Sequence, residues 1–137
     1  MKYVVIFFAI LTLTSINANA QIAVIVHKSV KISTANAAQI SDFFTMSTRE
    51  WPDGAKVVVF DQREEVARKK FYNFIGKNPV EVKKNWLRIQ LSGDGKAPET
   101  LSTDDDVIER ISKTPGAISY ISADKVTSDV KVIATIN

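Results

Sequence analysis

Residues 22–26 read Ile-Ala-Val-Ile-Val and residues 56–60 read Lys-Val-Val-Val-Phe. Neither run alternates apolar with polar, so neither has a solvent face, and both predict short strands covered on both sides. Between them, Ser33 or Thr34 is placed to cap a helix carrying Ala37, Ile40 and Phe43 or Phe44 at helical spacing, closed by the turn Trp51-Pro52-Asp53-Gly54. After the second run, residues 64–75 form an amphipathic helix pattern. Ala67, Phe71, Phe74 and Ile75 share one face, Glu64 with Arg68 and Glu65 with Lys69 are i,i+4 pairs, and Gly76 ends it. Asn78-Pro79 opens a third helix with Val82, Trp86 and Ile89 on one stripe, running to about Leu91 before the loop Ser92-Gly93-Asp94-Gly95. Ser102 or Thr103 caps a fourth, whose first turn sets Asp104, Asp105 and Asp106 against the positive helix end. Thr114-Pro115-Gly116 turns into a strand over 117–121, and 130–136 is the last strand, with Val130, Val132 and Ala134 alternating. The order β-α-β-α-α-α-β-β predicts an α/β fold: a three-layer α/β/α sandwich on a mainly parallel sheet. No internal repeat or long linker divides it.

Working outward to the N-terminus, Lys2 precedes an apolar run over residues 3–13, and Ala18-Asn19-Ala20 precedes Gln21. A positive start, an apolar stretch and an A-x-A site predict a signal peptide over 1–20, since the run is about half of what a bilayer-spanning helix needs. The expected mature domain is then 21–137, periplasmic or secreted. No cysteine follows the cleavage point to take a lipid anchor, and no membrane insertion is expected after signal removal.

The whole chain has 137 residues, 45% of them hydrophobic and 24% charged, with 18 Lys plus Arg against 15 Asp plus Glu. This is the composition of one globular domain. With no cysteine and a single histidine, His27, a disulfide scaffold, a zinc ribbon, a cysteine nucleophile and a histidine-rich metal site are excluded. No G-x-S-x-G or second histidine supports a triad, so the reading is a non-enzyme without cofactor or metal. The near-neutral charge balance also gives no sign of a nucleic-acid partner.

Charge is nevertheless uneven. Residues 56–90 hold nine basic side chains (Lys56, Arg63, Arg68, Lys69, Lys70, Lys77, Lys83, Lys84, Arg88) and four acidic ones (Asp61, Glu64, Glu65, Glu81). A basic middle suits an anionic ligand or partner. Open α/β sheets bind ligands beyond the carboxyl ends of their strands, which singles out His27 to Ser29 and Asp61 to Arg63. Arg63 lies just before a helix, where guanidinium and backbone N–H groups converge on an anion. The aspartate run 104–106 points in three directions and reads as capping, and residues 92–95 lack calcium- or phosphate-loop spacing.

Ile22-Ala23-Val24-Ile25-Val26 followed by Lys28, Phe43-Phe44, Trp51-Pro52-Asp53-Gly54, Val57-Val58-Val59-Phe60-Asp61-Gln62, Phe71-Tyr72, Trp86 and Thr114-Pro115-Gly116-Ala117-Ile118-Ser119-Tyr120-Ile121 occur in that order. Together they resemble the phosphate-binding proteins of ABC transporters, over nearly the whole mature chain. The most specific piece is 115–120, similar to the family's G-A-I-G-Y strand with Ser119 for the second glycine. The resemblance implies a periplasmic-binding-protein-like (PBP-like) fold, of which 117 residues suffice for a single lobe without the second jaw that closes on ligand. The family holds phosphate with an Arg and then a Ser-Gly-Thr opening a helix. Here that stretch falls on 61–67, with Asp61 at the Arg position and Glu65, Val66 and Ala67 where Ser-Gly-Thr stands. Two carboxylates facing a phosphate would repel it.

The expectation is therefore a bacterial solute-binding-like protein related to phosphate-binding transport components. It takes phosphate or another small anion through Lys28, Ser29, Gln62 and Arg63, by one lobe or between two copies in a homodimer. The alternative from another class is a ligand-free interaction module for an envelope protein partner or sensor assembly. For an enzyme, Asp61 or Glu65 would be the only bases with a positional argument.

Overall fold

In the computed structural model, which describes residues 20–137, five strands form one sheet. They are β1 (Ile22–Val26), β2 (Val58–Gln62), β3 (Glu99–Leu101), β4 (Ala117–Ser122) and β5 (Lys131–Ile136), in spatial order β3-β2-β4-β1-β5. β2 pairs in parallel with β3 and β4, while β1 runs against both β4 and β5. Four of the five strands therefore share one direction and only β1 is reversed. The expected signal peptide lies outside the described residues except for Ala20.

Four helices cover the sheet: α1 (Ala37–Phe44), α2 (Glu65–Ile75), α3 (Pro79–Leu91) and α4 (Asp104–Lys113). β1 shows why the sandwich has three layers. Ile22, Val24 and Val26 pack into the core shared with α1, α2 and α3, whereas Ala23 and Ile25 pack into the core shared with α4. All five are buried, as an unalternating apolar run requires. No helix among the described residues is long and apolar enough to cross a membrane.

Local chemistry sets the boundaries and moves several expected ones. α1 is capped by Asn36, not Ser33 or Thr34: Asn36 Oδ1 accepts from Gln39 N and Gln39 Oε1 accepts from Asn36 N, both at 2.9 Å, a reciprocal box that starts the helix at Ala37. Asn78 with Pro79, and Thr103, cap α3 and α4 as expected. β2 sits two residues beyond 56–60 because β3, a short strand of Glu, Thr and Leu, pairs with Phe60, Asp61 and Gln62. In β5 the pairing slips opposite Val24 and Ile25. The extra residue turns Ile133 and Ile136 inward and leaves Val132 partly exposed, replacing the expected alternation. The turn before β4 needs Gly116, whose φ of 77° and closeness to the Lys56 carbonyl leave no room for a Cβ. Trp51 Nε1 donates to the Gly116 carbonyl at 2.9 Å and locks that turn.

Candidate functional site

The parallel strands β2, β3 and β4 finish at one end of the sheet, where β1 starts. Ile22 pairs with Ser122 and with Ile136, so residues 20–22 and the last residues lie together there, and Gln21 Nε2 donates to Asn137 Oδ1 at 2.7 Å. α2 and α4 also begin at this end, one on each face. By the rule for open α/β sheets this is the ligand end.

The expected quartet does not assemble. Gln62 and Arg63 stand at this end, but β1 is antiparallel, so Val26 pairs with Ile118 near the start of β4 and Lys28 and Ser29 follow it at the opposite end. There the Ser29 hydroxyl meets His27 Nδ1 at 2.8 Å and accepts from Gly116 N at 3.3 Å, fastening the turn into β4, and Lys28 is exposed. Gln62 is not a surface contact either. It is buried inside β2, its Nε2 donating to the Tyr120 carbonyl. Arg63 alone of the four is exposed at the ligand end.

Behind Gln62 and Arg63, strand pairing between β2 and β4 stops at Val59 and Ile118, and side chains bridge the gap. Ser119 Oγ donates to the Phe60 carbonyl at 2.7 Å. Asp61, fully buried, accepts from Tyr120 Oη at 2.6 Å and from its neighbour's backbone N–H at 2.9 Å on Oδ1, and from Tyr72 Oη at 3.1 Å on Oδ2. Arg68 Nε stands 3.7 Å from Oδ2, and its guanidinium lies 5.5 Å from the Tyr72 ring centre. Burial, reinforced by the Asp61 charge and its hydrogen bonds, pushes both phenols well above the usual tyrosine range. Asp61 thus faces inward, beneath Arg68 and Tyr72 of α2, and not toward solvent. Its oxygens are taken by hydroxyls and a backbone N–H, which leaves it unsuited to act as a general base.

The start of α2 is occupied by the protein itself. The Glu64 carboxylate accepts from Val66 N at 3.1 Å and Ala67 N at 2.7 Å, so two of the N–H groups an anion would use already hold one. Capping also removes Glu64 from the expected pair with Arg68, which instead turns toward Asp61. The Glu65 with Lys69 pair does not form among the described residues.

What remains for a ligand is a pocket of about 430 Å³ along the exposed side of α2, lined by Arg63, Glu65, Arg68, Lys69, Tyr72, Asn73 and Pro79. Three cations face one carboxylate, and the side chains of Arg63 and Lys69 make no ion pair or hydrogen bond among the described residues. Arg68, 27% exposed, connects this pocket to the buried Asp61 network. Sequence reasoning found Arg63 but missed Arg68 and Lys69. Their spacing puts them on one helix face with Tyr72, yet each also stands four residues after a glutamate, which reads as an ion pair. A second, larger groove of about 760 Å³ runs beside the first half of β2 between Met46, Val57 and the 95–98 loop. It lies away from the ligand end.

No known family profile and no curated protein matches the chain. Solved structures do. A protein of Clostridium perfringens described as a phosphate ABC transporter substrate-binding protein, with phosphate bound, superposes with a TM-score of 0.67 at 21% identity, covering 83% of this chain and 45% of its own. An ABC-type phosphate transport receptor from Vibrio cholerae gives 0.64 at 15% identity, over 83% of this chain and 46% of its own. PstS from Borrelia burgdorferi gives 0.60 at 16%, over 84% and 47%. The chain has the PBP-like fold of these proteins and spans about half their length.

Proposed function

We propose that this chain is a single-lobe solute-binding-like protein of the bacterial periplasm or secreted space that takes a small oxyanion, phosphate or one similar to it, in the α2 pocket. The observation that carries this reading is the convergence of Arg63, Arg68 and Lys69 on one pocket beside the ligand end of a PBP-like sheet. The contacts differ from the family pattern the sequence resembles. Guanidinium and ammonium groups hold the anion, while Glu64 keeps the backbone N–H groups of α2. Lys28, Ser29 and Gln62 take no part. A pocket open on one side binds weakly and with strong dependence on salt.

The test is a thermal melt with and without millimolar phosphate and sulfate. Ligand at about 100 times its Kd stabilises by about 2.7 kcal/mol, several degrees for a domain of this size. Arg63→Ala and Lys69→Ala, both at exposed positions, should each weaken the response about tenfold without lowering the unliganded midpoint. A response equal in both variants and the parent chain would remove the anion from this pocket. A second reading, an interaction module without ligand, is favoured by Glu64 standing where the anion would go, and no response to any anion would select it.

A further inference from the structure

Helix α3 has two apolar faces. Val82 and Trp86 are buried against the body of the protein, and Trp86 Nε1 donates to the Phe44 carbonyl at 2.7 Å, tying α3 to the end of α1. Val80, Leu87 and Leu91 point the other way and are 59%, 54% and 77% exposed. At about 100° per residue these three share an arc of about 40°, roughly opposite the buried pair, along about 16 Å of helix. Lys83 flanks the stripe on one side, and Lys84 and Arg88 flank it on the other. Glu81, 3.5 Å from Lys84, is the one carboxylate on the helix.

We infer that this face of α3 docks on an anionic lipid bilayer surface. A stripe of three large apolar side chains on one outer helix exceeds the scatter of single exposed residues on a soluble domain. Cations on both flanks call for an anionic partner. The shape decides its kind: among the described residues the stripe is a ridge on an outer helix whose Val80, Leu87 and Leu91 line neither pocket described above, and such a ridge beds into a deformable interface with its lysines at headgroup level. This inference does not depend on the oxyanion reading, because the α2 pocket uses none of these residues.

The chain contains no cysteine, so Leu87→Cys carrying an environment-sensitive fluorophore reports on this face alone, and Glu109→Cys on α4, across the sheet, serves as control. Vesicles mixing phosphatidylglycerol with phosphatidylcholine should shift the label at 87 to the blue and cut its quenching by iodide several-fold, leaving the label at 109 unchanged. Pure phosphatidylcholine should do neither. Because each label senses its own surroundings, an apolar N-terminal segment that merely brought the chain to a vesicle would not give this pattern. Lys83→Glu with Lys84→Glu should reduce the effect several-fold with an unchanged melt, as should raised salt. Equal accessibility of position 87 with and without anionic vesicles would overturn the inference, as would equal shielding on neutral ones. Shielding by polyglutamate but not by vesicles would overturn the lipid assignment in favour of an acidic protein.

Discussion

Asp61 is fully buried near the end of β2, where two phenols and a backbone N–H donate to its carboxylate. From its position after a β-branched run it reads as a strand-end side chain facing a ligand. It is instead an internal anion, and Tyr72 and Tyr120 reach it from 11 and 59 residues away. No local pattern carries that information, because separations of this kind are set only by how the sheet is ordered. Burial of a carboxylate is tolerated here because two hydroxyls, a backbone N–H and a guanidinium surround it. Two consequences can be measured. Tyr120→Phe removes a hydrogen bond to a charged group and should cost about 1.5–3 kcal/mol near neutral pH. Both phenols are held protonated in the folded chain, with pKa values raised by burial and by Asp61, so the folded state keeps two protons that the unfolded state releases above about pH 10. The contribution is fully present below that pH and is lost as pH rises, at about 2.7 kcal/mol per pH unit for the two residues together. Urea unfolding across the alkaline range should show this fall, and Tyr120→Phe should halve its slope. A slope unchanged by the substitution would place the titration elsewhere.

Among the elements, several ends defined by short-range chemistry were legible. Asn78-Pro79, Thr103 and Gly76 mark helix ends that the structure keeps. The misread strands share one cause, a pairing partner distant in sequence, whereas the misread starts of α1 and α2 are local choices between competing caps. β3 is three residues long and two of them are polar, so only its pairing to β2 makes it a strand. β5 loses its alternation to a bulge. At α2, i,i+4 spacing predicted Glu64 beside Arg68, but a glutamate one residue before the helix also reaches the free N–H groups, and capping won. This choice governs ligand chemistry, since the carboxylate occupies an anion's place. Glu64→Ala should therefore lower the melting midpoint by the loss of a cap, a contribution of about 0.5–2 kcal/mol, while making phosphate more stabilising than it is for the parent chain. Parallel melts in chloride and phosphate read both effects. If the variant gained nothing from phosphate, the uncovered N–H groups would not constitute an anion site.

For the molecule as a whole, the layers were legible and the direction of β1 was not. Runs of unbroken β-branched residues announce a sheet covered on both faces, but they say nothing about which way a strand points. That single unknown separates Lys28 and Ser29 from Arg63 by the length of the sheet. The same strand decides how the protein unfolds. β1 lies between β4 and β5, and its side chains enter the two cores alternately, so neither core can be lost without disturbing the strand that the other needs. Both tryptophans belong to the core under α1, α2 and α3, whereas Ile25 belongs to the core under α4. Ile25→Ala leaves a cavity on the α4 side and should cost about 2–5 kcal/mol. With one cooperative transition, the tryptophan fluorescence midpoint must fall by the full amount although no tryptophan shares a core with the substitution, and it must coincide with the far-ultraviolet circular dichroism midpoint. A fluorescence transition left in place while the circular dichroism signal splits would mean that the two faces of the sheet melt separately, with β1 held by one of them alone.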